Sequence, residues 1–505
     1  MKFLHSKNSK RQMISTAFFL ILLLAPSILS LQDEDSRGRF SRGEDSATFS
    51  VEVTQLIPSN SPARSLESRS EISEVKNTSI FEQVYAHDSQ RYLNFLAKNQ
   101  GSTKFLAVKN AAAMNITVVN TIVSYIATVK VGPNGQTYRL IIDTGSSTTW
   151  VGAAKSFLPT NPTTDEPFSL TYGSGTVSGL KSEEILSFSD QLTTKQPIGV
   201  ASNAMGFDDV DGILGLGPVK LTVGSLEKRP TAEVPTVVDN LFTEKKINNK
   251  IVGVAFSPSN QTTSSNGLLT FGGVDNSRFQ GPLQWIKRTD SQPASNYFGV
   301  NMTITAGKNT IMENSAGIVD TGTTLILISQ EALQRYMALI PGSKLETGAA
   351  SFISMPPSSV ASVPVLEFDF GTFKATLNPE QQLLPASQAR LFGVSPDKRY
   401  SFVNSVGGSF TGGLEFILGQ KFLEHYYTAY DASTGAVGIA PHVTPSSAAQ
   451  GGQAPKSQNP TPPELDPNPT SGASSKSTLS LGFNFTRIRG YSFTILAIGV
   501  LYHLL

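Results

Sequence analysis

Two aspartates stand in nearly the same setting in different parts of the chain. "LIIDTGSST" (140–148) returns as "GIVDTGTTL" (317–325), so Asp143 and Asp320 each end an apolar run and each begin an Asp-Thr-Gly. A carboxylate at the end of a buried strand is costly unless partners satisfy its charge. A lone Asp-Thr-Gly is an ordinary tight turn. Two copies, each entered by apolar residues, suggest carboxylates that meet. Such a pair cannot easily ionise twice, so one member keeps its proton while the other stays charged. The charged member can take a proton from an attacking water, and the protonated one can hydrogen-bond the carbonyl under attack. Thr144 and Thr321 can hydrogen-bond across an interface and fix the spacing. Gly145 and Gly322 allow close backbone approach. Ser146 and Thr323 can donate to the outer carboxylate oxygens.

The elements that would carry these groups are strands. Between about 112 and 442 the chain alternates apolar and polar residues in short runs broken by Gly, Pro, Asn and Ser. "SYIATVKVG" (124–132) and "QTYRLIID" (136–143), joined by "PNG", predict a hairpin that ends on Asp143. "SQEALQRYMALI" (329–340) is the best helical pattern, with Ser329 as N-cap and Leu333, Tyr336, Met337 and Ile340 on one face. Downstream of each Asp-Thr-Gly lies a second shared motif, "DGILGLG" (211–217) and "EFILGQK" (415–421). The repeat implies two related lobes, each contributing one carboxylate.

Composition narrows the chemistry further. The 505 residues contain no cysteine, which removes thiol nucleophiles, cysteine metal sites and disulfides together. The five histidines are not spaced as metal pairs, and a Ser-His-Asp arrangement would have to use His425 or His442. No metal or cofactor is called for. A net charge of +1 provides no global field for nucleic acid.

The ends read as targeting and processing segments. Lys2, Lys7, Lys10 and Arg11 precede "AFFLILLLA" (17–25), the pattern of a secretory signal peptide, here taken as 1–30. Residues 31–75 have little apolar periodicity and read as poorly ordered. The stretch 89–111 holds Arg91, Lys98, Lys104 and Lys109 without an acid, which fits either a solvated linker or a basic plug for an acidic cleft. Residues 443–478 form a Pro/Ser/Gly-rich linker. The apolar tail within 479–505 fits a GPI-attachment signal or a short membrane anchor. Sequons at Asn115, Asn260 and Asn301 are glycosylation candidates in a secreted chain.

At these motifs the chain closely resembles the pepsin-like aspartic proteases, and among them the fungal polyporopepsin type. The resemblance runs from about Val118 to Pro441 and includes "DTGSSTTWV", "TYGSGTVSG" (171–179), "DGILGLG", "GIVDTGTT" and "FILGQKFLEHYYTAYDASTGAVGIAP" (416–441). It implies a mainly all-β, bilobal fold of two β-barrel-like lobes, 112–283 and 284–442, with a cleft between them. It implies Asp143 and Asp320 as the catalytic pair. Tyr172 would sit on a flap over bound peptide, with Gly173 and Ser174 offering backbone contacts and Trp150 packing behind. Residues 31–111 would be a propeptide acting as an intramolecular inhibitor, with Lys98, Lys104 or Lys109 pairing with the aspartates. The interval from Asp143 to Tyr172 is short for the family.

These readings combine into an acid-active aspartic endopeptidase that cuts polypeptides between apolar residues. It would be a monomer made as a zymogen, secreted or held at the cell surface. A non-catalytic binding protein on the same scaffold and a structural surface glycoprotein are the competing readings. The first typically lacks one aspartate or the flap tyrosine, all present here; the second leaves the paired motifs unexplained.

Overall fold

The structure is a computed structural model, and it describes residues 48–56, 79–99, 124–160, 165–172, 175–207, 209–259, 263–346, 352–405 and 413–443. The signal segment, the linker beyond Val443, the C-terminal tail, Lys104, Lys109, Asn115, Asn260, Gly173 and Ser174 lie outside these residues.

The chain begins with strand β1 (Phe49–Leu56) and helix α1 (Ile80–Asn99). Next come β2 (Ser124–Val131) and β3 (Gln136–Asp143), the expected hairpin, antiparallel from Ile126 opposite Ile141 to Val131 opposite Gln136. The "PNG" turn closes through the Gly135 amide on the Gly132 carbonyl, with both glycines at positive φ. Leu140 and Ile142 are fully buried, so this strand is a rigid arm that ends on Asp143.

Then follow β4 (Trp150–Val151), β5 (Pro167–Thr171), β6 (Thr176–Ser187), β7 (Thr193–Met205), β8 (Gly212–Gly215), β9 (Ile251–Ala255) and β10 (Thr263–Phe271). They belong to a thirteen-stranded sheet in which β2 also pairs with β6, curling it upon itself. Strands 426–431 and 437–441, from the far end of the chain, join the same sheet beside β9. A seven-stranded sheet carries Asp320.

The two halves repeat one local topology. β3 runs parallel to β8, which pairs antiparallel with β4, itself parallel to β7. Strand 309–319 runs parallel to 416–418, which pairs antiparallel with 326–328, itself parallel to 403–404. The recurrence of Ile-Leu-Gly follows from this. Leu216 N–H donates to the Asp143 carbonyl at 2.8 Å, and Asp320 N–H donates to the Leu418 carbonyl at 3.0 Å. Each second motif is the backbone support of its own Asp-Thr-Gly.

The expected helix spans Gln330–Ala338, and the Ser329 side chain accepts from the Ala332 amide. The N-terminal region departs from expectation. Residues 49–56, read as part of a poorly ordered stretch, form a strand between β10 and β2. Residues 80–99 are helical, a form not expected of the 89–111 stretch. The start of α1 is written in "SIFE": Ser79 N–H donates to Glu82 Oε2 at 2.8 Å and Glu82 N–H donates to Ser79 Oγ at 3.2 Å.

Candidate active site

Asp143 and Asp320 meet at one buried site. Each motif folds its own turn around its carboxylate. Gly145 N–H donates to Asp143 Oδ1 at 2.9 Å and Ser146 Oγ donates to Oδ2 at 2.5 Å. Gly322 N–H donates to Asp320 Oδ1 at 3.1 Å and Thr323 Oγ1 donates to Oδ2 at 2.5 Å. The threonines lock the loops reciprocally: Thr144 N–H donates to Thr321 Oγ1 at 2.9 Å, and Thr321 N–H donates to Thr144 Oγ1 at 3.0 Å. A Cβ on Gly145 would lie 2.7 Å from Asp320 Oδ1, and one on Gly322 would lie 2.6 Å from Asp143 Oδ1. Only glycine fits there.

The charge of the two carboxylates is met by those donors and by a cation not expected at this place. Arg91 of α1 is buried between the carboxylates. Its Nε donates to Asp320 Oδ2 at 2.7 Å and Nη2 to Asp320 Oδ1 at 2.9 Å. Nη2 also bonds Asp143 Oδ1, and Nη1 reaches Asp143 Oδ2 at 3.3 Å. Burial works against the charge of Arg91, but the two aspartates outweigh it and hold its pKa above the ordinary value. Burial pushes Asp320 up; Arg91, Thr323 and the Gly322 amide together hold it below the usual carboxylate range. The expectation that a lysine fills this place is corrected. Lys98 Nζ instead donates to the Leu221 carbonyl, and burial lowers its pKa to about 8. A planar fork can serve two carboxylates at once where an ammonium is a point charge, which suits arginine to the position.

A second contact was also missed. Asp88, fully buried one turn before Arg91, accepts from the Thr324 amide at 3.1 Å and the Leu325 amide at 2.7 Å. His87 Nδ1 lies 2.9 Å from its Oδ1.

On the Asp143 side, Trp150 Nε1 donates to Tyr172 Oη at 3.0 Å, and Phe207 meets both rings edge-on. Tyr172 directly follows β5 of the β5–β6 hairpin, where its amide donates to the Gly175 carbonyl at 2.7 Å. Burial, with Asp143 nearby, raises its pKa. The histidines considered for a triad lie elsewhere: His425 Nδ1 is 3.2 Å from Gln381 Nε2, and burial holds His442 down at about 4. Asn301 is exposed on strand 299–306.

This geometry agrees with comparisons to known proteins. The family model described as eukaryotic aspartyl protease matches residues 124–442. The chain belongs to the eukaryotic aspartyl protease family. It is 40% identical to polyporopepsin of Irpex lacteus over 339 residues, covering 65% of this chain and 97% of that protein. Gastricsin of Cavia porcellus is 28% identical over 337 residues, covering 63% and 80% of the two chains. The crystal structure of the aspartic proteinase from Irpex lacteus matches with a TM-score of 0.61 at 38% identity, covering 64% of this chain and 95% of that one. Membership makes the chain a pepsin-like aspartic endopeptidase, a hydrolase with the bilobal fold of that family.

Proposed function

We propose that Asp143 and Asp320 are the catalytic dyad of an acid-active endopeptidase, made as a latent precursor that α1 closes. The observation that carries the reading is the pair of buried carboxylates, tied together by Thr144 and Thr321 and bridged by Arg91. With α1 gone, the carboxylates lose their shared cation, and two close carboxyls then hold one proton between them. The charged member takes a proton from water as the water attacks the peptide carbonyl. The protonated member hydrogen-bonds the carbonyl oxygen and later supplies the proton to the leaving amine. Ser146 and Thr323 keep the outer oxygens engaged, and Tyr172, held by Trp150, closes over the peptide. Gly173 and Ser174 offer backbone contacts to the peptide.

In the precursor no substrate can reach the dyad, because a guanidinium occupies it. Residues 31–111 act as propeptide, 112–283 and 284–442 as the lobes, and 443–478 as the linker to a GPI or membrane anchor at 479–505. The polyporopepsin and vacuolar aspartic protease relatives fit passage of this chain through the secretory pathway. Asn115, Asn260 and Asn301 are then the glycosylation sites.

The test is acid treatment of the full-length protein, with N-terminal sequencing and a peptide-cleavage assay. Loss of α1 together with the appearance of cleavage that a pepstatin-type transition-state mimic blocks is the expected result. Full cleavage at neutral pH by chain that still carries α1 refutes the latency. An Asp320→Asn protein that still cleaves refutes the dyad.

A further inference from the structure

Helix α1 lies along a continuous line of contacts. Lys98 bonds the Leu221 carbonyl, and the Phe95 ring meets Tyr297 edge-on at 4.8 Å. Arg91 fills the dyad and Asp88 bonds the Thr324 and Leu325 amides. At the far end Phe81 enters an aromatic cage. Its ring centroid lies 5.1 Å from Phe352, 6.2 Å from Phe392, 6.0 Å from Tyr400 and 6.2 Å from Phe402, the last stacked at 12°. Phe81 N–H donates to the Phe392 carbonyl at 3.3 Å, so backbone as well as ring is received there. Phe81 is 1% exposed.

Resting on the protease reading above, we infer that this cage is a distal substrate subsite: once α1 leaves, Phe352, Phe392, Tyr400 and Phe402 receive an aromatic side chain of the bound polypeptide. The occupant follows from three observations. The cage is continuous with the line that passes through the dyad, so a chain lying across the dyad in α1's place runs toward it. It already holds a phenylalanine of this protein, so its shape and chemistry suit an aromatic ring. Its four rings are covered by α1 in the precursor, and leaving such a patch open to water is unfavourable.

The distance sets the position. Ten residues of helix separate Phe81 from Arg91, which at helical rise is about 15 Å. An extended peptide covers that span in about four or five residues. The subsite therefore reads a residue well beyond those flanking the scissile bond.

The experiment uses acid-matured protein made from the full chain. One series of peptides keeps apolar residues at the scissile bond and moves a single Phe, against Ala, from the third to the seventh position on each side. A short peptide confined to the scissile region serves as reference. The expected result is a maximum in kcat/KM, about tenfold over alanine, at the fourth or fifth position on one side only. Phe392→Leu should flatten that maximum and leave the short reference peptide unaffected. A flat positional series in wild-type protein overturns the inference, as does a maximum that Phe392→Leu leaves intact while the reference rate is normal. If the leucine variant fails to fold, which the reference rate reports, the wild-type series still decides. Failure to cleave even the reference peptide is a different outcome: it removes the protease reading and this inference with it.

Discussion

The Asp143 and Asp320 loops have the same hydrogen bonds but different surroundings. Asp143 leans on Ser146, whose side chain is half-buried, and it faces the β5–β6 hairpin with Tyr172 and Trp150 behind. Asp320 leans on Thr323, fully buried, and the two amides that follow are capped by Asp88. Arg91 follows the same division. Its Nε and Nη2 bind Asp320 side-on, while Asp143 receives Nη2 and a longer contact from Nη1. The repeated backbone equips both loops alike to hold a carboxylate. What differs is what lies against each loop. One side is served by a hairpin, the other by a packed floor on which α1 is anchored.

The largest effect tests whether the two loops are equals in chemistry. Asp143→Asn and Asp320→Asn should each lower kcat of the matured enzyme by about 10³-fold or more, because a dyad missing either member can no longer both accept and supply a proton. The double variant should be scarcely worse than either single one. A single variant that keeps a tenth of wild-type activity, with contaminating protease excluded, would falsify the shared-site reading.

Next comes the cation that joins them. Arg91→Met should raise the activity of unprocessed precursor at neutral pH by about 100-fold, since it leaves two buried carboxylates facing an apolar group. Arg91→Lys should fall between, with a charge but without the fork. The pH dependence has a definite sign. Asp320 is held below the usual carboxylate range, so its contribution to α1 docking is present above its ordinary pKa of about 4 and is lost only as pH falls through the lowered value. The wild-type precursor should therefore keep α1 resistant to an added protease down to about pH 4 and expose it below. Exposure already near pH 6 contradicts this.

A smaller effect belongs to the Asp143 side alone. Tyr172→Phe leaves the buried Trp150 Nε1 without its partner at 3.0 Å and should lower kcat/KM about tenfold. The latency of the precursor should not change. A fall in latency would show that the hairpin also holds α1, and the division between the hairpin side and the anchored side would fail.

Much of this was written plainly in the chain. The two Asp-Thr-Gly copies, the hairpin at 124–143 and the Ser329 cap are local signals, and in each the pattern coincides with the packing. The helix in the N-terminal segment was missed for a physical reason. The buried face of α1 runs through Phe81, Val84, Tyr85, Asp88, Arg91, Tyr92 and Phe95, so two charged residues sit where the helical period calls for apolar ones. A charge there looks solvated until the opposing charges are known. The capping box at Ser79–Glu82 was the one local signal of the helix. Strand β1 is a similar case: eight residues have no visible role until β10 and β2 are found with a place between them.

The smallest prediction concerns a residue pair beside the carboxylates at which the repeat differs. Ser146 and Thr323 make equivalent bonds, so their hydroxyls are interchangeable and only a methyl separates them. Thr323 and its methyl are fully buried, whereas Ser146 is half-buried. Thr323→Ser should therefore lose about 0.8 kcal/mol and lower Tm by at most about 2 °C, with kcat unchanged. Ser146→Thr should leave both Tm and kcat within error, because that position is only half-buried. Thermal melts and peptide-cleavage rates on the two variants decide it. If Ser146→Thr costs more than Thr323→Ser, the Asp143 loop is the more tightly packed of the two, and the anchored side has been assigned to the wrong aspartate.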